Sequence, residues 1–190
     1  MEPRVAIWNS LGVGFVGLLL VGAAQAEERR NELFLGTYST IIAYDTAYDD
    51  DDTLTGGHVG YARDFNDHIG LRGAYFATEH DDYPTIEATG YDVTLVAGRL
   101  NHGFNVWGGF GLFDEEWETT DGRFAESFSG THLQFGIGYS WEPVSLRWVL
   151  NMRDASDYED FVNEQNSGSY YYEEVQAAAV SSSLNIGFRF

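Results

Sequence analysis

The chain has no cysteine, no lysine and only three prolines in 190 residues. Without cysteine there is neither a disulfide framework nor a thiolate metal site, so the fold must be held by other means. Scarce proline, beside 22 glycines and 16 % aromatics, suits many strands joined by tight turns better than helices. Positive charge is also short: ten arginines stand against 30 Asp and Glu, a formal charge of −20. A surface this negative repels phosphates, which excludes nucleic acid as a partner. The apolar run at residues 11–21 is too short to cross a bilayer as a helix.

That run has the makings of a secretory signal. Arg4 precedes it, although Glu2 offsets the charge, and Ala24-Gln25-Ala26 supplies a small-x-small cleavage site. The competing reading, an uncleaved anchor, is disfavoured by the Ala-x-Ala end. The expected organisation is therefore a signal peptide at residues 1–26 and one folded domain at 27–190, too small for a second.

From Glu32 onward, stretches of period-2 hydrophobicity about ten residues long alternate with connectors rich in Asp, Glu, Asn and Gly. Eight strands are predicted, at 32–45, 54–66, 68–78, 89–101, 104–113, 128–141, 144–153 and 175–190. The connectors alternate strictly. Asn66-Asp67, Asn101-His102-Gly103 and Glu142-Pro143 are tight, whereas 45–53, 79–88, 114–127 and 154–174 are long and hold 22 of the 30 acidic residues. Short turns at one end and long loops at the other is the layout of membrane barrels with both termini on the periplasmic side.

The strand faces agree. In strand six Leu133, Phe135, Ile137, Tyr139 and Trp141 share one face and His132, Gln134, Gly136, Gly138 and Ser140 the other. Strand seven sets Val144, Leu146, Trp148, Leu150 and Met152 against Ser145, Arg147, Val149, Asn151 and Arg153. Apolar outside and polar inside is the inverse of a soluble protein, and closure in lipid makes it affordable because every backbone group is paired. Strand one is ambiguous, since Leu33, Leu35 and Ile41 compete with Phe34, Tyr38 and Ile42 for the outer face. Phe34, Tyr44, Phe65, Tyr91, Phe104, Phe128 and Trp141 are expected in interfacial girdles. The fold class is all-β: an eight-stranded transmembrane antiparallel up-and-down barrel.

Near the C-terminus Val180, Leu184, Ile186, Phe188 and Phe190 fall on one face and end on an aromatic. This resembles the terminal signature by which the assembly machinery recognises outer-membrane barrels, with Leu184, Ile186, Phe188 and Phe190 as its residues. Val106-Trp107-Gly108-Gly109-Phe110-Gly111-Leu112 before an acidic loop, and Phe135-Gly136-Ile137-Gly138-Tyr139 turning into Val144-Ser145-Leu146-Arg147, resemble the OmpA-like and OmpX/Ail-type small barrels. The likeness covers most of the expected mature chain and implies a fold and an outer-membrane location in a Gram-negative bacterium, more than a function. OmpA itself continues into a peptidoglycan-binding domain, whereas this sequence ends on the last predicted strand, so tethering to the cell wall is not implied.

Eight strands enclose a space that side chains can fill, which disfavours a general diffusion pore. The expected lumen contains His58, Asp64, Arg72, Asp92, Trp107 and His132, together with Arg147, Asn151, Arg153, Asn185 and Arg189. Its arginines should pair with its aspartates, because an unpartnered buried charge is costly. His58, Asp92, His132 and Arg153 fall at similar depth, where two imidazoles and a carboxylate could hold a divalent ion or a proton. A structural hydrogen-bond network is the favoured reading.

An enzyme resembling the lipid A deacylase PagL would need a His-x-Ser pair, which Thr131-His132-Leu133 and Asn151-Met152-Arg153 do not supply. No catalytic residue, cofactor or metal ligand is assigned. The acidic loops read first as solvated charge. Weak recruitment of Mg²⁺ or Ca²⁺ is a second reading, and adhesion through Tyr158, Phe161 and Tyr170-Tyr171-Tyr172 a third. The expected protein is thus an integral outer-membrane barrel with a structural or surface-interaction role. A narrow channel is the alternative, and a lipid-modifying enzyme a weaker one. Its expected partners are outer-membrane lipid and lipopolysaccharide, the assembly machinery, and divalent cations at the acidic loops.

Overall fold

The computed structural model describes residues 30–45, 51–100, 103–166 and 175–190. The expected signal segment and Tyr170 to Tyr172 lie outside the described residues. Eight strands follow in order: β1 (Asn31–Tyr44), β2 (Asp52–Asp64), β3 (Ile69–His80), β4 (Ile86–Arg99), β5 (Gly103–Thr119), β6 (Ala125–Trp141), β7 (Val144–Arg153) and β8 (Ala177–Arg189). Each pairs antiparallel with its neighbour in sequence, and β1 pairs with β8 through Glu32↔Arg189 to Tyr44↔Ala177, closing an up-and-down barrel. Closure leaves no sheet edge unpaired, the condition a strand protein must meet in hydrocarbon.

Two loops are shorter than the sequence suggests. β5 continues six residues beyond Phe113 and β6 starts three before Phe128, so only 120–124 remain as a turn. The run Asp114-Glu115-Glu116-Trp117-Glu118 reads as loop by charge, yet it keeps the strand alternation. Phe113, Glu115 and Trp117 are buried, while Asp114, Glu116 and Glu118 are exposed. The β3–β4 connector likewise shrinks to residues 81–85.

The last long connector holds an unexpected helix, α1 (Ser156–Asn166). Asp154 caps it, its Oδ1 accepting from Ser156 N at 3.3 Å and Ser156 Oγ at 2.9 Å. Asp157 and Glu159 in the first turn favour the positive end of the helix dipole.

The alternation places apolar side chains outside. Leu133, Phe135, Ile137, Tyr139 and Trp141 are all exposed, as are Val144, Leu146, Trp148 and Met152, while His132, Gln134, Arg147 and Asn151 are buried. The register settles β1: Leu35 and Ile41 point out, and Phe34, Tyr38 and Ile42 point in. This corrects the girdle assignment of Phe34. Phe128 and Tyr44 are further corrections, because both have inward parity: Phe128 is 1 % exposed, and Tyr44 is half-buried against the inner apolar cluster. Phe65, Tyr91, Phe104 and Trp141 do lie on the outer surface.

On β5 the outward apolar run extends from Phe104 to Leu112 and then turns acidic at Asp114. Nine residues is about what a tilted strand needs to cross a hydrocarbon core. Beyond this belt, towards the long loops, the polarity inverts. The inside becomes a greasy cluster of Ile42, Leu54, Phe113, Trp117, Phe128 and Tyr158, and the outside carries the acids. No helix among the described residues is long and apolar enough to cross a membrane.

Candidate functional site: the filled lumen

Four arginines, Arg72, Arg147, Arg153 and Arg189, share the interior with four acids, Glu32, Asp64, Asp92 and Glu115, all buried. Each points inward because it has the parity of the polar face on its strand. They separate into two layers.

At the short-turn end, Arg189 Nη2 donates to Asp64 Oδ2 at 2.9 Å, and its Nε lies 3.8 Å from Glu32 Oε2. Arg147 Nη1 donates to the other oxygen of Glu32. Arg72 instead stacks on Trp107, its guanidinium carbon 4.3 Å from the ring centroid, and Arg147 approaches the same indole at 5.6 Å. The indole N–H donates to Gln134 Oε1 at 3.3 Å, and Gln134 Nε2 donates on to Asn151 Oδ1 at 3.0 Å. The layer is a network rather than a set of separate pairs, the form in which buried charge is tolerated.

At the long-loop end, Arg153 Nη1 donates to Glu115 Oε2 at 2.6 Å and Nη2 donates to the Tyr38 hydroxyl. The second Glu115 oxygen accepts from Tyr158 OH at 2.7 Å and from Trp117 Nε1 at 2.9 Å. Burial, with the Glu115 carboxylate beside it, pushes the Tyr158 hydroxyl well above the ordinary phenol range, so it stays protonated and keeps donating. Tyr158 comes from α1, stacked on Phe128 at 4.6 Å, so the helix is seated in the barrel mouth by a side chain inserted into it. Further pins are Asp157 Oδ2, which accepts from Ser129 N at 2.8 Å, and Glu159 Oε1, which accepts from Ala177 N at 2.7 Å.

Between the layers lies a cavity of about 20 Å³, bordered by Arg72, Asp92, His58, Asn185, Arg147 and Tyr38. That is space on the scale of about one or two waters. The interior is thus filled by side chains through most of its height.

Every lumen residue expected from the sequence is on the inner side, but the grouping differs. His58 hydrogen-bonds Asn185, whereas His132 Nε2 meets Thr94 Oγ1 at 2.7 Å. The two imidazoles therefore serve different partners, and His132 is the cross-strand neighbour of Arg153. Among the described residues no three His, Cys, Asp or Glu side chains gather as a metal site. Thr94 and His132 form a hydroxyl–imidazole pair, but at 0 % and 2 % exposure it is closed to any substrate.

Glu32, Tyr38, Glu115 and Tyr158 are lumen residues the sequence reading missed. Parity with Phe113 could have revealed Glu115, and the register of β1 would have revealed Glu32 and Tyr38. Tyr158 carried no such signal, because only the helix brings it to the mouth. Leu184, Ile186 and Phe188 line the outer face of β8, each about half exposed, and Phe190 closes on Asn31 through backbone hydrogen bonds of 3.1 and 2.9 Å.

No protein-family model matches this sequence and no curated protein matches it. Solved structures do match. Ail, the attachment invasion locus protein of Yersinia pestis, is 18 % identical, with 86 % of this chain and 99 % of that chain covered at a TM-score of 0.50. Neisserial surface protein A is 10 % identical, with 83 % and 97 % covered at 0.56. At such identities the likeness is one of architecture. Its closed eight-stranded barrel, with an apolar exterior and a charged, filled interior, has the fold of the small outer-membrane β-barrels.

Proposed function

We propose that this chain is an integral outer-membrane protein that acts through its outward-facing acidic surface, and that its barrel neither conducts nor catalyses. The observation that carries the reading is the occupied lumen. Arg153, Glu115 and Tyr158 close the outer end, and Arg147, Arg189, Glu32 and Asp64 cross-link the periplasmic end. The belt of exposed Leu, Ile, Val and aromatic side chains supports a lipid environment, since water would penalise it at every strand. The acids beyond the belt then face the medium. Their role is to keep the apex solvated and to attract divalent cations diffusely, the counterions that screen anionic lipopolysaccharide.

Planar-bilayer recording tests the sealed lumen: the folded protein is expected to add no unitary conductance. Steady single-channel steps would overturn the reading in favour of a narrow channel. Mass spectrometry of lipid A from cells with and without the protein is expected to give one profile. Replacing residues 156–174 by a short turn is expected to abolish any attachment to surfaces while leaving the barrel folded.

A further inference from the structure

The outward-facing charges of the strands are sorted by end. Towards the long loops they are acids: Glu79, Glu87, Asp114, Glu116 and Glu118 are all exposed. At the short-turn end the outward strand positions carry no acid. They carry Arg63 on β2 and Arg99, the last residue of β4, both exposed. Neither guanidinium has an ion pair or hydrogen bond among the described residues. The acids of that end, Asp67 and Glu142, lie in the hairpin turns beyond the strand ends, and Asp64 faces inward to Arg189.

Their surroundings fix their depth. Arg63 is paired across the strands with Leu71 and followed two residues later by Phe65, which is 51 % exposed. Arg99 is paired with Val106, beside Phe104 at 54 %. Both therefore stand one outward position inside the aromatic edge of the apolar belt, within a long side chain's reach of the headgroups. A cation at this level with no protein partner extends towards the headgroups along its own apolar stem.

We infer that Arg63 and Arg99 form a lipid-binding rim that takes the phosphates of anionic phospholipids in the periplasmic leaflet. This rests on the membrane reading above, which places the short turns on the periplasmic side. The guanidinium fork matches phosphate oxygens in a bidentate manner, as an ammonium would not. The opposite rim bears acids, so an anionic lipid there needs a bridging divalent cation, whereas Arg63 and Arg99 take its phosphate directly. Each arginine is expected to favour an anionic over a zwitterionic lipid by about fivefold.

The test is native mass spectrometry of the folded full chain released from micelles doped with equal amounts of phosphatidylglycerol and phosphatidylcholine. The wild type is expected to retain phosphatidylglycerol preferentially. Arg63→Gln with Arg99→Gln is expected to lose the preference, and Arg63→Lys with Arg99→Lys to keep only part of it, the charge without the fork. Equal retention of both lipids by the wild type, or a preference unchanged in the Gln variant, overturns the rim. A chain that stays soluble and folded without detergent would instead overturn the membrane reading itself, so the two failures are distinguishable.

Discussion

Arg153 Nη1 lies 2.6 Å from Glu115 Oε2 at the outer end of the lumen, with their side chains 1 % and 3 % exposed. The guanidinium is also sandwiched over Phe113 at 4.5 Å and Phe76 at 5.1 Å, so neither partner can turn towards water if the other is lost. Breaking such a pair on one side leaves an uncompensated buried charge, which costs roughly 3–5 kcal/mol. Glu115→Gln and Arg153→Met should each destabilise by that order in urea unfolding from lipid vesicles. The double variant should cost less than the sum, a coupling a double-mutant cycle reads directly.

Tyr158 offers a local counterpart. Its ring fills the mouth against Phe128 and Trp117, and its hydroxyl donates to Glu115. Tyr158→Phe removes the bond but keeps the packing, at a cost of about 1–3 kcal/mol for the acceptor left short. Tyr158→Ala removes both and should free α1 from the mouth. Limited proteolysis is expected to cleave within residues 154–166 of the Ala variant while the barrel stays resistant and heat-modifiable on gels. Equal protection of α1 in wild type and Y158A would mean that its other anchors suffice.

The legible and illegible parts of this molecule divide along a physical line. Strand alternation is local, so β6 and β7 could be read residue by residue, and with them the inward positions of His132, Arg147 and Arg153. β1 could not, because Leu33-Phe34-Leu35 and Ile41-Ile42 are apolar on both faces; only pairing with Gly60 and Gly187 decides that Phe34 goes inside. Charge misled the reading at Glu115, where hydropathy marks a loop but a partner 38 residues further on makes an inward acid stable. The α1 helix was invisible for a related reason. Its seat is made by β5 and β6 side chains, and its own sequence is mostly polar.

The edge of the apolar belt can be located by substitution. Phe135 lies in the middle of β6 at 49 % exposure, and Glu116 lies two residues beyond Asp114 on the outer face of β5. If the belt faces lipid, Phe135→Arg should destabilise by roughly 2–4 kcal/mol, the cost of an arginine near the bilayer midplane. Glu116→Arg should be nearly neutral, because that face is bathed by water. Equal tolerance at both sites in vesicle-based unfolding would contradict the lipid boundary drawn here.

The most demanding position of the inner wall is Gly136. It sits directly across from Trp107 in the β5–β6 ladder, and a Cβ built there would run into the Trp107 indole. Trp107 is in turn the platform for Arg72 and Arg147, so displacing it disturbs the charge layer at the short-turn end as well as the packing. Overpacking of this kind typically costs about 1–3 kcal/mol, and here a cation–π stack is lost in addition. Gly136→Ala should therefore destabilise by at least the upper end of that range and shift Trp107 fluorescence. Gly73 on β3 is the control, because a Cβ there meets nothing nearer than 3.6 Å. Gly73→Ala should leave stability within about half a kcal/mol of the wild type, since a substitution that touches no such feature usually stays within that range. If both alanines behaved alike, the close approach of Trp107 to the β6 backbone would not be a constraint, and the indole would not be the fixed support on which the two arginines depend.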